Sequence, residues 1–195
     1  MFPTDYAIQP VELALAAEER GFESMFFPEH THIPTSRKTP FPGGTDLPKE
    51  YWHTHDPFVA LGAAAAVTKK LKLGTGVCLV IERDPITLAK EVASLDMISN
   101  GRVIFGIGAG WNVEEMKMFG AGLLPRDERY VYAAEWMDLL KRTWTPEEPV
   151  DFHGHYLPAS GVISKPLPLK RPYPAIQSAG PNQAGRRFAG HTAGL

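Results

Sequence analysis

The stretch "FFPEHTHIP" sets an acid and two imidazoles directly after an apolar run: Glu29, His30 and His32 follow Phe26, Phe27 and the break at Pro28. Three kinds of chemistry fit such a cluster: a metal site, an acid–base site beside an organic cofactor, or histidines that only hydrogen-bond in a loop. Imidazole suits the second, because it titrates near neutral pH and can both take and give a proton. A second pair, His53 and His55 before Asp56, raises the metal reading, since alternate residues of a strand point to one side and can share a zinc ion. Against it, Pro28 splits the first pair from its strand and Asp56 is placed to cap a helix. The later strand ends, "CLV", "GAGW" and "QSAG", add no histidine or lysine. A metal-dependent barrel hydrolase therefore ranks third among the readings.

Two other features carry less. "GIGAGW" places Gly106, Gly108 and Gly110 at a strand exit, but a dinucleotide fingerprint needs G-x-G-x-x-G and the third spacing is wrong. Small residues there let a ligand or a neighbouring backbone come close. Cys78 is the single cysteine, so no internal disulfide forms, and with no base near it in sequence it reads as a small buried residue.

The elements that must position these residues alternate. "PVELALAAEERG" predicts a helix at about 10–20, with Pro10 near its start and Gly21 as its stop. "HDPFVALGAAAAVTKK" has Asp56 as N-cap and Pro57 in the first turn. "RDPITLAKEVASLDMISNG" repeats that punctuation with Asp84, Pro85 and Asn100-Gly101. Asn112, three residues before Glu115, resembles a capping box, and "RDERYVYAAEWMDLLKRTW" predicts a long helix. Residues 146–173 read as proline-rich and irregular. Strands near 23–27, 72–80, 102–108 and 174–179 are expected to lie adjacent, in order and parallel, with helices between them. Both a doubly wound sheet and an eightfold barrel fit this alternation.

Composition bounds the rest. The chain has 195 residues, 44% of them apolar and 22% charged, with a formal net charge of −2. It is expected to form a single domain, 1–195, with no basic surface for nucleic acid. The acidic residues near the N-terminus and the lack of a long apolar run argue against a leader or membrane span, and the lone cysteine suits a reducing compartment, so a cytoplasmic location is expected.

Four blocks, "ERGFESMFFPEHTHIP", "HDPFVALGAAAAVTKKLKLGTGVCLV", "RDPITLAKEVASLDMISNGRVIFGIGAGWNVEEM" and "YPAIQSAGPNQAGRRFAG", together resemble the luciferase-like monooxygenase superfamily, from about residue 3 to the end. The resemblance implies an α/β fold, a TIM (β/α)8 barrel, present here as a partial barrel of about five βα units. It also implies FMN or coenzyme F420 bound at the C-terminal ends of the strands. His30 matches the family's histidine beside the isoalloxazine and takes the catalytic, proton-handling role, leaving Glu29 structural and paired with an arginine. The strand "LGTGVCLV" matches one whose bulge, often with a non-proline cis peptide, supports the back of the ring. That makes Thr75, Gly76, Val77 and Cys78 cofactor-binding residues, with the cis bond at Gly76-Val77 or Val77-Cys78. Ala179, Gly180 and Asn182 match the phosphate loop, where a helix N-terminus suits an anion.

The expected activity is that of a flavin- or deazaflavin-dependent oxidoreductase, a monooxygenase acting on a small organic substrate. Its partners would be that substrate, a flavin reductase and further copies of the chain. A non-catalytic flavin-binding or shortened member is the alternative. The loop 33–52 is expected over the site as a lid, its Arg37, Lys38 and Lys49 as solvated charges. "MFPTDYAIQP" resembles the end of a first strand, and a sheet with two open edges is expected to be marginal, oligomeric or aggregation-prone on its own.

Overall fold

The computed structural model describes residues 1–44, 46–119, 124–146 and 148–178. Local punctuation sets the helices. α1 (Pro10–Glu19) ends just before Gly21, whose φ of 74° lies in the left-handed region that a glycine enters without penalty. After β1 (Ser24–Phe27) and the short α2 (Glu50–His53) comes α3 (Pro57–Val67), where the Asp56 carboxylate accepts from the N–H groups of Phe58 and Val59 at 2.9 and 3.0 Å. β2 (Lys72–Thr75), β3 (Cys78–Leu79) and a 3₁₀ turn (Val80–Glu82) lead to α4 (Pro85–Ile98). Asp84 caps α4 through the Thr87 N–H at 2.8 Å. β4 (Val103–Gly108) runs into α5 (Val113–Met118), capped by Asn112, and α6 (Arg126–Thr143) follows.

β2 and β3 are two pieces of one strand, interrupted at Gly76 and Val77. Counted so, the parallel order is β1, β2/β3, β4 and then β7 (Ala175–Ser178), as the sequence predicts. One face of this sheet is buried under helices. Met25, Phe27, Leu73, Phe105, Ile107 and Ile176 meet a layer that includes Leu61, Leu88, Trp136 and Trp144. Trp144 donates its indole N–H to Ala89 O at 3.0 Å and stands edge-on to Phe105. The other face carries Phe26, Ile104, Ala175 and Gln177, none of them fully buried. This is the curved wall of a partial barrel.

Two stretches differ from expectation. Residues 146–173 contain an antiparallel hairpin, β5 (Val150–His153) with β6 (Pro158–Val162), pinned where Asp151 accepts from Ser160 Oγ and Gly161 N at 2.8 Å each. Alternation of buried Val150 and Phe152 with exposed Asp151 and His153 marks the strand, and the surrounding prolines hid it. The N-terminal segment adds no strand to the sheet: Thr4 forms only an isolated antiparallel bridge with Thr54.

Candidate active site

The C-terminal ends of β1, β2/β3 and β4 lie side by side, so whatever follows each strand is brought to one rim. After β1 the chain breaks at Pro28 and puts Glu29 and His30 there. The Nδ1 atom of His30 lies 3.0 Å from Oε1 and 3.1 Å from Oε2 of Glu115, and the two side chains are only 6% and 1% exposed. Glu115 reaches this spot because Asn112 starts α5 immediately beyond β4. Asn112 caps the helix through the Glu114 and Glu115 N–H groups, while the Glu115 carboxylate goes to His30.

Glu29 is 2% exposed and faces the opposite way, accepting from Leu79 N at 2.6 Å and pairing with Arg83 Nε. Arg83 extends the network to Glu91 at 2.9 Å and Asp56 at 2.6 Å. Glu29 is thus the structural, arginine-paired carboxylate that the sequence implied.

Between β2 and β3 the Gly76–Val77 peptide is cis, one of the two positions expected. Gly76 is exposed and Val77 half-exposed, while Thr75 and Cys78 on either side are buried. Thr75 Oγ1 donates to Gly106 O at 2.6 Å, and Gly76 N donates to Phe27 O at 2.7 Å. The glycines of β4 exist for this bulge: a Cβ on Gly106 would collide with the Thr75 carbonyl, and one on Gly108 would stand 2.7 Å from Val77 Cγ2. The Cys78 thiol lies wholly within the core, where burial and the nearby Glu29 charge push it well above its ordinary range. No part of Cys78 is exposed, so it backs the bulge from within the core and offers a ligand no surface.

Residues 31–44 of the loop after His30 fold back toward its ring. Its Phe41 meets Tyr51 and Trp111 edge-on at 5.3 and 6.0 Å, and the His30 ring lies 5.1 Å from Tyr51 and 6.3 Å from Trp111. Glu114 fastens the loop, accepting from Ser36 Oγ at 3.0 Å, Thr39 N at 3.1 Å and Thr39 Oγ1. The Thr39 hydroxyl is the main cause that holds the Glu114 carboxyl down at about 2. Arg37 bonds to carbonyls of its own loop, and Lys49 lies over the Tyr6 ring at 4.3 Å. Beside Trp111 a cavity of about 260 Å³ opens between Ala109, Gly110, Arg129 and Tyr130.

The histidine pairs do not converge. His32 Nε2 lies 3.0 Å from Met118 Sδ, and His53 Nδ1 lies 2.9 Å from Asp5. Among the described residues no group of three or more His, Cys, Asp or Glu could hold a metal ion. Likewise no helix is long and apolar enough to cross a membrane. His30 and the 75–78 bulge share the rim, whereas Ala179, Gly180 and Asn182 lie outside the described residues. Sequence reasoning missed Glu115, Tyr51, Phe41 and Trp111 as companions of His30. The Asn112–Glu115 spacing was the one visible signal, and it pointed only to a helix start.

A wall of parallel strands backed by helices, with the His30–Glu115 pair and the 75–78 bulge at its strand exits, is part of a barrel of the TIM type. The family model for luciferase-like monooxygenases matches residues 6–194, and the chain belongs to that family. An uncharacterised protein of Mycobacterium tuberculosis is 39% identical over 182 residues, covering 92% of this chain and 63% of that one. The FMNH2-dependent dimethylsulfone monooxygenase of Pseudomonas putida is 33% identical over 69% of this chain and 37% of its own. The F420-dependent glucose-6-phosphate dehydrogenase of Amycolatopsis mediterranei is 29% identical over 87% and 47%. Among solved structures, monooxygenase RslO1 from Streptomyces bottropensis superposes with a TM-score of 0.69 at 30% identity, over 86% of this chain and 45% of that one. The chain thus spans less than two thirds of the length of each of these relatives.

Proposed function

We propose that the chain forms the cofactor-facing part of a flavin- or deazaflavin-dependent oxidoreductase, a monooxygenase acting on a small organic substrate, with His30 as the residue that moves protons. The observation that carries this reading is the buried His30–Glu115 pair on the same rim as the exposed bulge at Gly76 and Val77. The residues present fit a planar ring. Gly76 offers a peptide face without a side chain, Val77 and Phe26 flank it with apolar surface, and no charged side chain intervenes in the bulge. When bound, a reduced flavin or deazaflavin supplies the hydride or the reaction with oxygen.

The protein's own residues do the rest. Gly76 and Val77 seat one face of the ring, chiefly through backbone, and the buried Thr75 and Cys78 on either side hold the bulge in place. His30 Nε2, the nitrogen not turned to Glu115, takes or gives the proton. Glu115 fixes the ring's orientation and suits the imidazolium. Phe41, Tyr51 and Trp111 exclude water from above. Ala179, Gly180 and Asn182 remain the proposed phosphate end, on sequence alone. Relatives of both cofactor classes support FMN and F420 alike. With this reading go a cytoplasmic location, a flavin reductase as supplier where FMN is used, and self-association.

The test is reconstitution with FMN and, separately, with F420, followed by absorbance under anaerobic reduction and then on exposure to oxygen. Oxidation of the reduced cofactor that depends on His30 supports the enzyme. A bound but inert cofactor identifies a non-catalytic binding member, and failure to bind either one overturns the proposal.

A further inference from the structure

Arg83 has three guanidinium nitrogens and each is committed, Nε to Glu29, Nη1 to Glu91 and Nη2 to Asp56. His30 gives its Nδ1 to Glu115. Glu82 receives neither cation. It is 6% exposed, and its Oε2 has no hydrogen-bond partner among the described residues. Its Oε1 lies 3.4 Å from the point where a Cβ on Gly110 would stand, so the carboxyl sits beneath the strand exit from which α5 carries Glu115. A buried carboxylate without a partner is far more costly than a buried acid, because only the charged form loses the strong solvation of water.

We propose that Glu82 is a neutral carboxylic acid built into this site, carrying a proton at neutral pH, and that it acts as a positioning residue of the His30–Glu115 pair. The proposal rests on His30 as the proton-handling residue. Of the charged groups around Glu82, Glu115 and Glu29 disfavour its ionised form and Arg83 opposes them. Glu115 faces it from α5, and Glu29 and His30 stand at the turn after β1. Arg83 adjoins it but is spent on other carboxylates. From α6, which packs on the 3₁₀ turn, comes Arg129, which reaches Met116 Sδ at 3.1 Å beside Gly110. Burial, then the charges of Glu115 and Glu29, push the Glu82 carboxyl up to about 9, with Arg83 offsetting only part.

The experiment is infrared spectroscopy of the full chain, which needs no turnover. At neutral pH the difference between wild type and Glu82→Gln is expected to contain the carbonyl stretch of a protonated carboxyl, bleaching as the pH is raised toward 9. In Glu115→Gln, which removes the neighbouring charge, that bleaching moves to lower pH. Absence of the band overturns the neutral acid. A midpoint that Glu115→Gln leaves in place overturns the link to the His30 pair. If Glu82→Gln does not fold, the band is followed in wild type and Glu115→Gln carrying ¹³C-labelled glutamate, with the same two outcomes. A band that behaves as expected in a protein that turns over no cofactor overturns the oxidoreductase reading and leaves the state of Glu82 standing.

Discussion

Glu115 presents both carboxylate oxygens to one atom of His30, at 3.0 and 3.1 Å, across 85 residues of chain. That arrangement leaves Nε2 as the nitrogen for the proposed proton transfer. His30→Ala is expected to lower the rate by about 10²–10⁴-fold, with cofactor affinity within a few-fold of wild type, because backbone holds the ring. Glu115→Gln keeps an acceptor but not the charge, so it should fall between wild type and Glu115→Ala. Stopped-flow rates set beside cofactor titrations decide this. Equal losses of rate and affinity would make His30 structural.

Glu114 and Glu115 are neighbours with separate tasks, and Glu114 makes loop closure depend on acid. Its folded-state pKa of about 2 lies below the ordinary 4.5. The stability it contributes is therefore complete above pH 4.5 and lost as the pH falls toward 2. Hydrogen exchange at residues 36–39 should stay slow to mildly acidic pH and then accelerate. Glu114→Ala should show fast exchange there at every pH.

The β4 glycines differ in what they meet. Gly106 faces the Thr75 carbonyl, which is backbone, whereas Gly108 faces a methyl of Val77. Gly106→Ala should cost at least the roughly 1–3 kcal/mol of an overpacked core, and Gly108→Ala less, since a side chain can turn aside. Chemical denaturation of the two variants gives the order directly.

Breaking the Glu29–Arg83 pair leaves a cation in a site only 14% exposed on the arginine side and 2% on the glutamate side. Because Arg83 keeps Glu91 and Asp56, Glu29→Gln should destabilise by about 1–3 kcal/mol, in part because Leu79 N loses a charged acceptor. Thermal unfolding checks it.

The uncovered sheet face and the edge strand β1 lead us to expect self-association of these 195 residues. Light scattering and thermal unfolding at two concentrations test that. A cooperative monomer whose melting does not depend on concentration would remove the expectation.

What the sequence made legible was local. Asp56-Pro57, Asp84-Pro85 and Asn100-Gly101 encode helix ends within a few residues of themselves, and their caps formed as read. The strand order followed from alternation with helices. Contacts between distant segments were not legible. Nothing near Glu115 reveals that its carboxylate crosses to His30, and nothing near Glu82 reveals that Arg83 is already engaged elsewhere. Only packing decides such allocations. The bulge stands between these cases: family resemblance located it, but which residues it turns inward depended on pairing with β4.

That pairing holds a last consequence. Leu73 aligns with Val103 and Gly74 with Ile104, but beyond the cis peptide Cys78 aligns with Ile107 and Leu79 with Gly108, so the strand carries one residue more than its neighbour. The bulge is thus a phase slip. Ahead of it odd-numbered residues such as Leu73 point to the helices, and after it the even-numbered Cys78 does. A single deletion at residue 76 or 77 would put the two strands back in step, keep the sheet intact, and erase the one exposed peptide on which the proposed ring rests. Insertions and deletions here should therefore behave as an on–off switch for ligand binding in a protein that still folds.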